Sequence, residues 1–149
     1  MKISRLSLLI IFMTTAGHLY SQSDQDLIII DEIADDITEL LAEFGDQPNV
    51  YVTDGNTPDA LRQITDQLVN LRIKDLHIHV PTKPGAIVFS SIALTSENLE
   101  QLPFDLTDWT RVISGKVIIH SEVVFTGEEG QLLKQLLESR TGLVFESQP

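Results

Sequence analysis

The spacing of hydrophobic positions changes repeatedly along this chain. "LIIID", Leu27 to Asp31, is an unbroken apolar run ending in an acid, the pattern of a strand buried on both faces of a parallel sheet. "DDITELLAEF" then places Ile37, Leu40, Leu41 and Phe44 on one helical stripe. Asp36 and Glu39 have the spacing of a capping box, and Gly45 stands just past the helix end. "NVYVTD", Asn49 to Asp54, alternates as a second strand, and "GNTPDALRQITDQLVNL" is again helical. There Thr57 is the expected cap, Pro58 fits the first turn, and Leu61, Ile64, Leu68 and Leu71 share a face.

"DLHIHV", Asp75 to Val80, is a third strand, and "PTKPG" leads into "AIVF" and "IALT", a short hairpin or extended excursion. "SENLEQL", capped by Ser96, and "DLTDWTRVI", starting at Asp105 or Thr107, are expected helices. "KVIIHSEVV", Lys116 to Val124, is a fourth main strand. A last helix carries a Thr126–Glu129 capping box, Leu132, Leu133, Leu136 and Leu137 facing inward, Arg140 in the last turn and Gly142 at the end; "LVFES" closes the chain as a strand. Strands alternate with helices at βαβ spacing. The expected architecture is α/β: a three-layer sandwich with a mostly parallel central sheet and helices on both faces.

The first residues stand apart. Lys2 and Arg5 precede an apolar segment, Leu6 to Ala16, and Ser21 offers a small residue before Gln22. This is the pattern of a secretory signal peptide over residues 1–21, leaving one domain over 22–149. The apolar run is short and interrupted for a membrane span, although an uncleaved anchor is the alternative. No cysteine follows it to carry a lipid. The expected location is therefore exported, in the bacterial periplasm or outside the cell.

The 149 residues carry a formal charge of −12, and the leader would remove only bases. So acidic a chain repels phosphate backbones and lacks a polybasic patch for anionic lipid, which argues against nucleic acid and membrane partners. The absence of cysteine excludes disulfides, thiolate catalysis and thiolate-bound zinc.

In parallel sheets, ligands bind beyond the carboxyl ends of strands. No glycine-rich phosphate loop follows any strand. His77 and His79 lie two apart on one strand and share a face; His120 and Glu122 have the same relation on another. If those strands are neighbours, the four side chains converge as a zinc-type ligand set; otherwise each histidine is an ordinary strand residue bonded to a carbonyl. Ser90, Ser91 and Ser121 end or follow strands, but none sits in a G-x-S-x-G elbow. Asp31 and Asp54 end strands and could pair as carboxylates, yet acids there more often cap the following helix or turn.

Several stretches together resemble a known family, Domain of Unknown Function 4347: "DALRQITDQL", "DLHIHV" with "PGAIVFSSIALTSENLEQL", "LTDWTRVISGKVII" and "GEEGQLLKQLLESRTGLVFES". In that family a strand ends in Ser-His-Gly before a proline-glycine hairpin, and a later strand ends in Gly-Cys. The arrangement is similar to the caspase-like cysteine peptidase fold, and such modules occur in large exported bacterial proteins. The resemblance places Pro81 and Thr82 at the His-Gly position and Ser121 and Glu122 at the Gly-Cys position. His79, two residues early, would need a backbone shift to substitute. Glu122 cannot act as a thiolate. The resemblance thus implies a caspase-like scaffold without its dyad, with no cofactor. A degenerate cleft at His79, Pro81, Thr82, Ser121 and Glu122 would recognise a protein or small ligand. The alternative is a zinc-binding protein or metal-dependent hydrolase using His77, His79, His120 and Glu122.

Overall fold

The computed structural model of the protein describes residues 25–56, 59–69, 71–101 and 106–149. The expected leader, the Thr57 and Pro58 signals and the expected Asp105 cap fall outside these residues, and the side chain of Thr107 is not described. Eight strands and three α-helices run in the order β1 (Gln25–Asp31), α1 (Ile37–Phe44), β2 (Val50–Thr53), α2 (Ala60–Leu68), β3 (Ile73–His79), β4 (Thr82–Lys83), β5 (Ala86–Val88), β6 (Ala93–Thr95), β7 (Lys116–His120), α3 (Gly127–Thr141) and β8 (Val144–Gln148) among the described residues. No helix among them is long and apolar enough to cross a membrane.

The central sheet has five strands, all parallel, in the order β2-β1-β3-β7-β8. The expected mostly parallel α/β sandwich is present. Right-handed crossovers dictate where the helices go. Only the β1-to-β2 connection travels one way along the sheet, so α1 alone covers one face. Every later step travels the other way, so α2 and α3 share the opposite face.

The packing agrees. Leu61, Ile64 and Leu68 of α2 and Leu133 and Leu137 of α3 join Ile29, Leu76, Ile78, Val117, Ile119 and Phe145 in the main core. Trp109 is buried there, and its indole N–H donates to Thr65 Oγ1 at 3.0 Å. Beneath α1 lies a smaller cluster of Ile28, Ile30 and Ala34, with Ile37, Leu40 and Phe44 half-buried against it. No residue of α1 is fully buried, and Leu41, expected to face inward, is exposed.

The excursion after β3 is a small antiparallel sheet, β4-β5-β6. Its Pro84–Gly85 turn docks on the loop after β7, where Gly85 N–H donates to Val124 O at 2.9 Å. Gly85 has φ +74, and an added Cβ would lie 2.7 Å from Glu129 Cβ, so both conformation and space demand glycine.

Local expectations fail where a side chain finds another partner. Neither Asp36 nor Thr126 makes a side-chain cap bond, so neither capping box forms. Thr126 Oγ1 donates instead to Val123 O at 2.7 Å. Helix α2 is capped by Asp59, which accepts from Leu61 N and Arg62 N. The segments expected as helices capped by Ser96 and starting at Asp105 or Thr107 hold 3₁₀ turns, Leu99–Gln101 and Leu106–Arg111. Leu132 is exposed while Leu133 and Leu137 are buried. Gly142 ends α3 in the left-handed conformation as its position suggested.

Candidate functional site

Strand β3 sorts its residues by pleat. Leu76 and Ile78 enter the main core, whereas His77 and His79 point to the α1 face. Strand β7 is its parallel neighbour, with His77 opposite Ile118 and Ile78 opposite Ile119, which sets His79 beside His120. The His79 and His120 rings stack at 3.9 Å between centroids and 8° between planes. The His77 and His120 ring centroids are 5.3 Å apart with 25° between planes, and Phe44 of α1 approaches His79 at 5.9 Å. His77 Nδ1 and His120 Nε2 are 3.0 Å apart, so one ring donates and the other accepts. Asp26 Oδ2 faces His77 Nε2 at 3.8 Å, beyond hydrogen-bond length.

Burial, and then the neighbouring His120 and His77, push the pKa of His79 down to about 4. The pKa of His120 is lowered by burial and by His77, against the opposing pull of a backbone hydrogen bond at Pro149. Both rings are therefore neutral at pH 7.

The four proposed ligands do not all meet. The three imidazoles come together, but β7 stops at His120 rather than Val124, and Glu122 is exposed on the turn beyond. Strand alternation therefore no longer ties Glu122 to the histidine face. Among the described residues no group of three or more His, Asp or Glu side chains is spaced to hold a metal ion.

The chain turns after β3 and β7 touch one another. Thr82 Oγ1 and Ser121 Oγ are 2.6 Å apart. Ser121 Oγ also accepts from Val123 N and Val124 N, each at 3.1 Å, so its own proton goes to Thr82. Ser121 thus shapes the turn. Ser90 N and Oγ donate to Asp31 at 3.1 Å each, and Ser91 Oγ accepts from Ala60 N at the start of α2. Asp31 is fully buried and also accepts from Thr53 Oγ1 at 2.6 Å and Ile33 N at 3.1 Å. Asp54 Oδ1 accepts from Asn56 N in a local turn. The two acids thus serve separate local structures.

A pocket of about 300 Å³ opens at the carboxyl ends of β3 and β7, lined by Ala34, Asp35, Asp36, Leu40, His79, Val80, His120 and Pro149. It lies where the strand order reverses, since the connection from β1 goes to one side and that from β3 to the other. Open α/β sheets bind ligands at such a switch point. Sequence reasoning found its histidines but missed its walls. Asp36 reads as a helix cap, Asp35 carries no signal of its own, and Pro149 reaches the pocket only because β8 lies beside β7. Asp26 was also missed, although its alternation with Ile28 places it on the histidine face.

The family described as a domain of unknown function (DUF4347) matches residues 27–147, and the chain belongs to it. No curated protein and no solved structure matches the chain.

Proposed function

We propose that this member of the DUF4347 family is an exported, catalytically inactive relative of the caspase-like peptidases, working by binding at the carboxyl end of its sheet. The observation that carries this reading is the Thr82–Ser121 contact. It joins the two turns on which the resemblance sets the dyad, at Pro81 and Glu122. The scaffold's meeting point is kept while its chemistry is absent. Pro81 has no proton to shuttle, Glu122 has no thiolate, and the hydroxyl between them is committed to Val123 N, Val124 N and Thr82. The basic and apolar leader pattern at Lys2, Arg5 and Leu6 to Ala16 supports export. The pocket at the switch point supports recognition of a ligand or partner protein. Incubation of the purified protein with peptide libraries is expected to give no cleavage. Turnover that disappears in Glu122→Gln would overturn the reading.

A second reading, a zinc-binding protein or metal-dependent hydrolase using His77, His79, His120 and Glu122, has against it that His77 and His120 bond to each other and that no such group among the described residues is spaced to hold a metal ion. Stoichiometric zinc in protein purified without a metal-affinity tag, lost in His79→Ala, would put it first.

A further inference from the structure

The ligand's chemistry can be read from the pocket walls, given that the carboxyl-end cleft is the binding site. Three observations bear on it. First, no hydrogen bond reaches either ring nitrogen of His79 among the described residues. No buried side-chain nitrogen or oxygen lacks a partner there either, so the half-buried ring keeps its polar edge reachable from the cavity it lines. A neutral imidazole offers one donor and one acceptor. Second, the charged side chains lining the pocket are Asp35 and Asp36, with no lysine or arginine among them. They follow β1 on the turn into α1 and are exposed, as groups waiting at a rim are. Third, Leu40, Ala34, Val80 and Pro149 give the same pocket an apolar lining beside the acids and the imidazoles. The volume is at the small end of ligand sites, suited to one long side chain or a small molecule.

We infer that the pocket takes a guanidinium group on an aliphatic stem, as an arginine side chain of a bound peptide presents it. The stem lies along Leu40 and Pro149, and the planar fork of donors reaches Asp35 or Asp36 and the open nitrogen of His79. Arginine suits this better than lysine, because its five donors spread in a plane can satisfy acceptors on two walls at once. A carboxylate or phosphate ligand would meet two aspartates and no base. The net charge of −12 draws cationic ligands towards the molecule.

The test follows the ring resonances of His79 and His120 in the whole protein during titration with N-acetyl-arginine amide. The citrulline derivative, of nearly the same shape without the charge, and the glutamate derivative are run beside it. Expected are saturable shifts with the arginine compound, affinity at least tenfold above citrulline, and a tenfold or greater loss in Asp35→Asn/Asp36→Asn. His79→Phe keeps a planar wall without the nitrogen and should weaken binding several-fold. Citrulline or glutamate binding as well as arginine at these resonances would overturn the guanidinium assignment and leave the cleft reading standing. Arginine binding that leaves both rings unmoved would overturn it too, as attraction to general surface charge. So would stoichiometric zinc at His79 that excludes the arginine compound. Absence of any saturable shift overturns it as well, whereas peptide turnover in the same samples would remove the binding reading beneath it.

Discussion

The two faces of the central sheet are built from the same strands and do opposite things. On one, Ile29, Leu76, Ile78, Val117, Ile119 and Phe145 meet α2 and α3 and are all but sealed from water. On the other, Ile28 and Ile30 give way across the sheet to His77 and His79, then to Ile118 and His120, then to Glu146 and Gln148. A single eight-residue helix lies over the apolar end of that face. The difference has one cause. Three strands, β3, β7 and β8, are placed by connections that travel the same way, and handedness sends the helices of those connections to the same side. The polar half of the other face is what the sequence writes where no helix was going to land. Stability is thus concentrated on one face, and the other is left to carry a pocket.

The sharpest way to break this comparison is to truncate each face. Ile119→Ala or Leu133→Ala, each at a fully buried site, should cost about 2–5 kcal/mol in urea unfolding. Leu40→Ala on half-buried α1 should cost only about 1 kcal/mol. Equal losses would mean that α1 supports the fold as much as α3 does. Next in size is Asp31, which joins β1 to β2 and to the excursion through Thr53 and Ser90. Asp31→Ala leaves buried donors unpaired and should cost on the order of 3 kcal/mol. Asp36→Ala, at an exposed cap that makes no side-chain bond, should change stability by less than about 0.5 kcal/mol.

The smallest effect concerns protonation of the polar face. With its pKa near 4, His79 takes up a proton in the unfolded chain, where it titrates near 6.5, before it does so in the fold. Stability should therefore be complete above about pH 6.5 and fall as pH drops towards 4. His120, lowered in the same direction, adds to the trend. The groups around the stack are His77 on β3, Asp26 on β1, Asp35 and Asp36 before α1, and Phe44 of α1. Because His79 is partly open to water, its share is on the order of 1 kcal/mol after screening. His79→Gln should flatten the midpoint-against-pH curve between pH 4 and 6.5. An unchanged slope would show that the imidazole stack is not held neutral by its surroundings.

Much of the fold was legible because its signals are periodic. The buried run before Asp31, the Leu61–Ile64–Leu68 stripe and the alternation in "DLHIHV" each survive as β1, α2 and β3. Caps were less legible. Asp36, Thr126 and Ser96 have the right residue type, but a hydroxyl or carboxylate bonds to whichever group the turn presents, as Thr126 does with Val123 O. The end of β7 was misjudged for a related reason. "SEVV" has strand propensity, yet Ser121 Oγ gathers the N–H groups of Val123 and Val124 and closes a turn, carrying Glu122 off the ladder.

The sequence by itself determined that the chain is α/β, that its central sheet is mostly parallel, and that His77 and His79 share a face, because each follows from spacing along the chain. Which strands are neighbours was decided only in three dimensions. Strand order rests on long-range packing and on the handedness of connections, and neither leaves a local mark. That order stacks His120 on His79, joins Thr82 to Ser121, and brings Pro149 and Asp35, 114 positions apart in the chain, to the walls of one pocket.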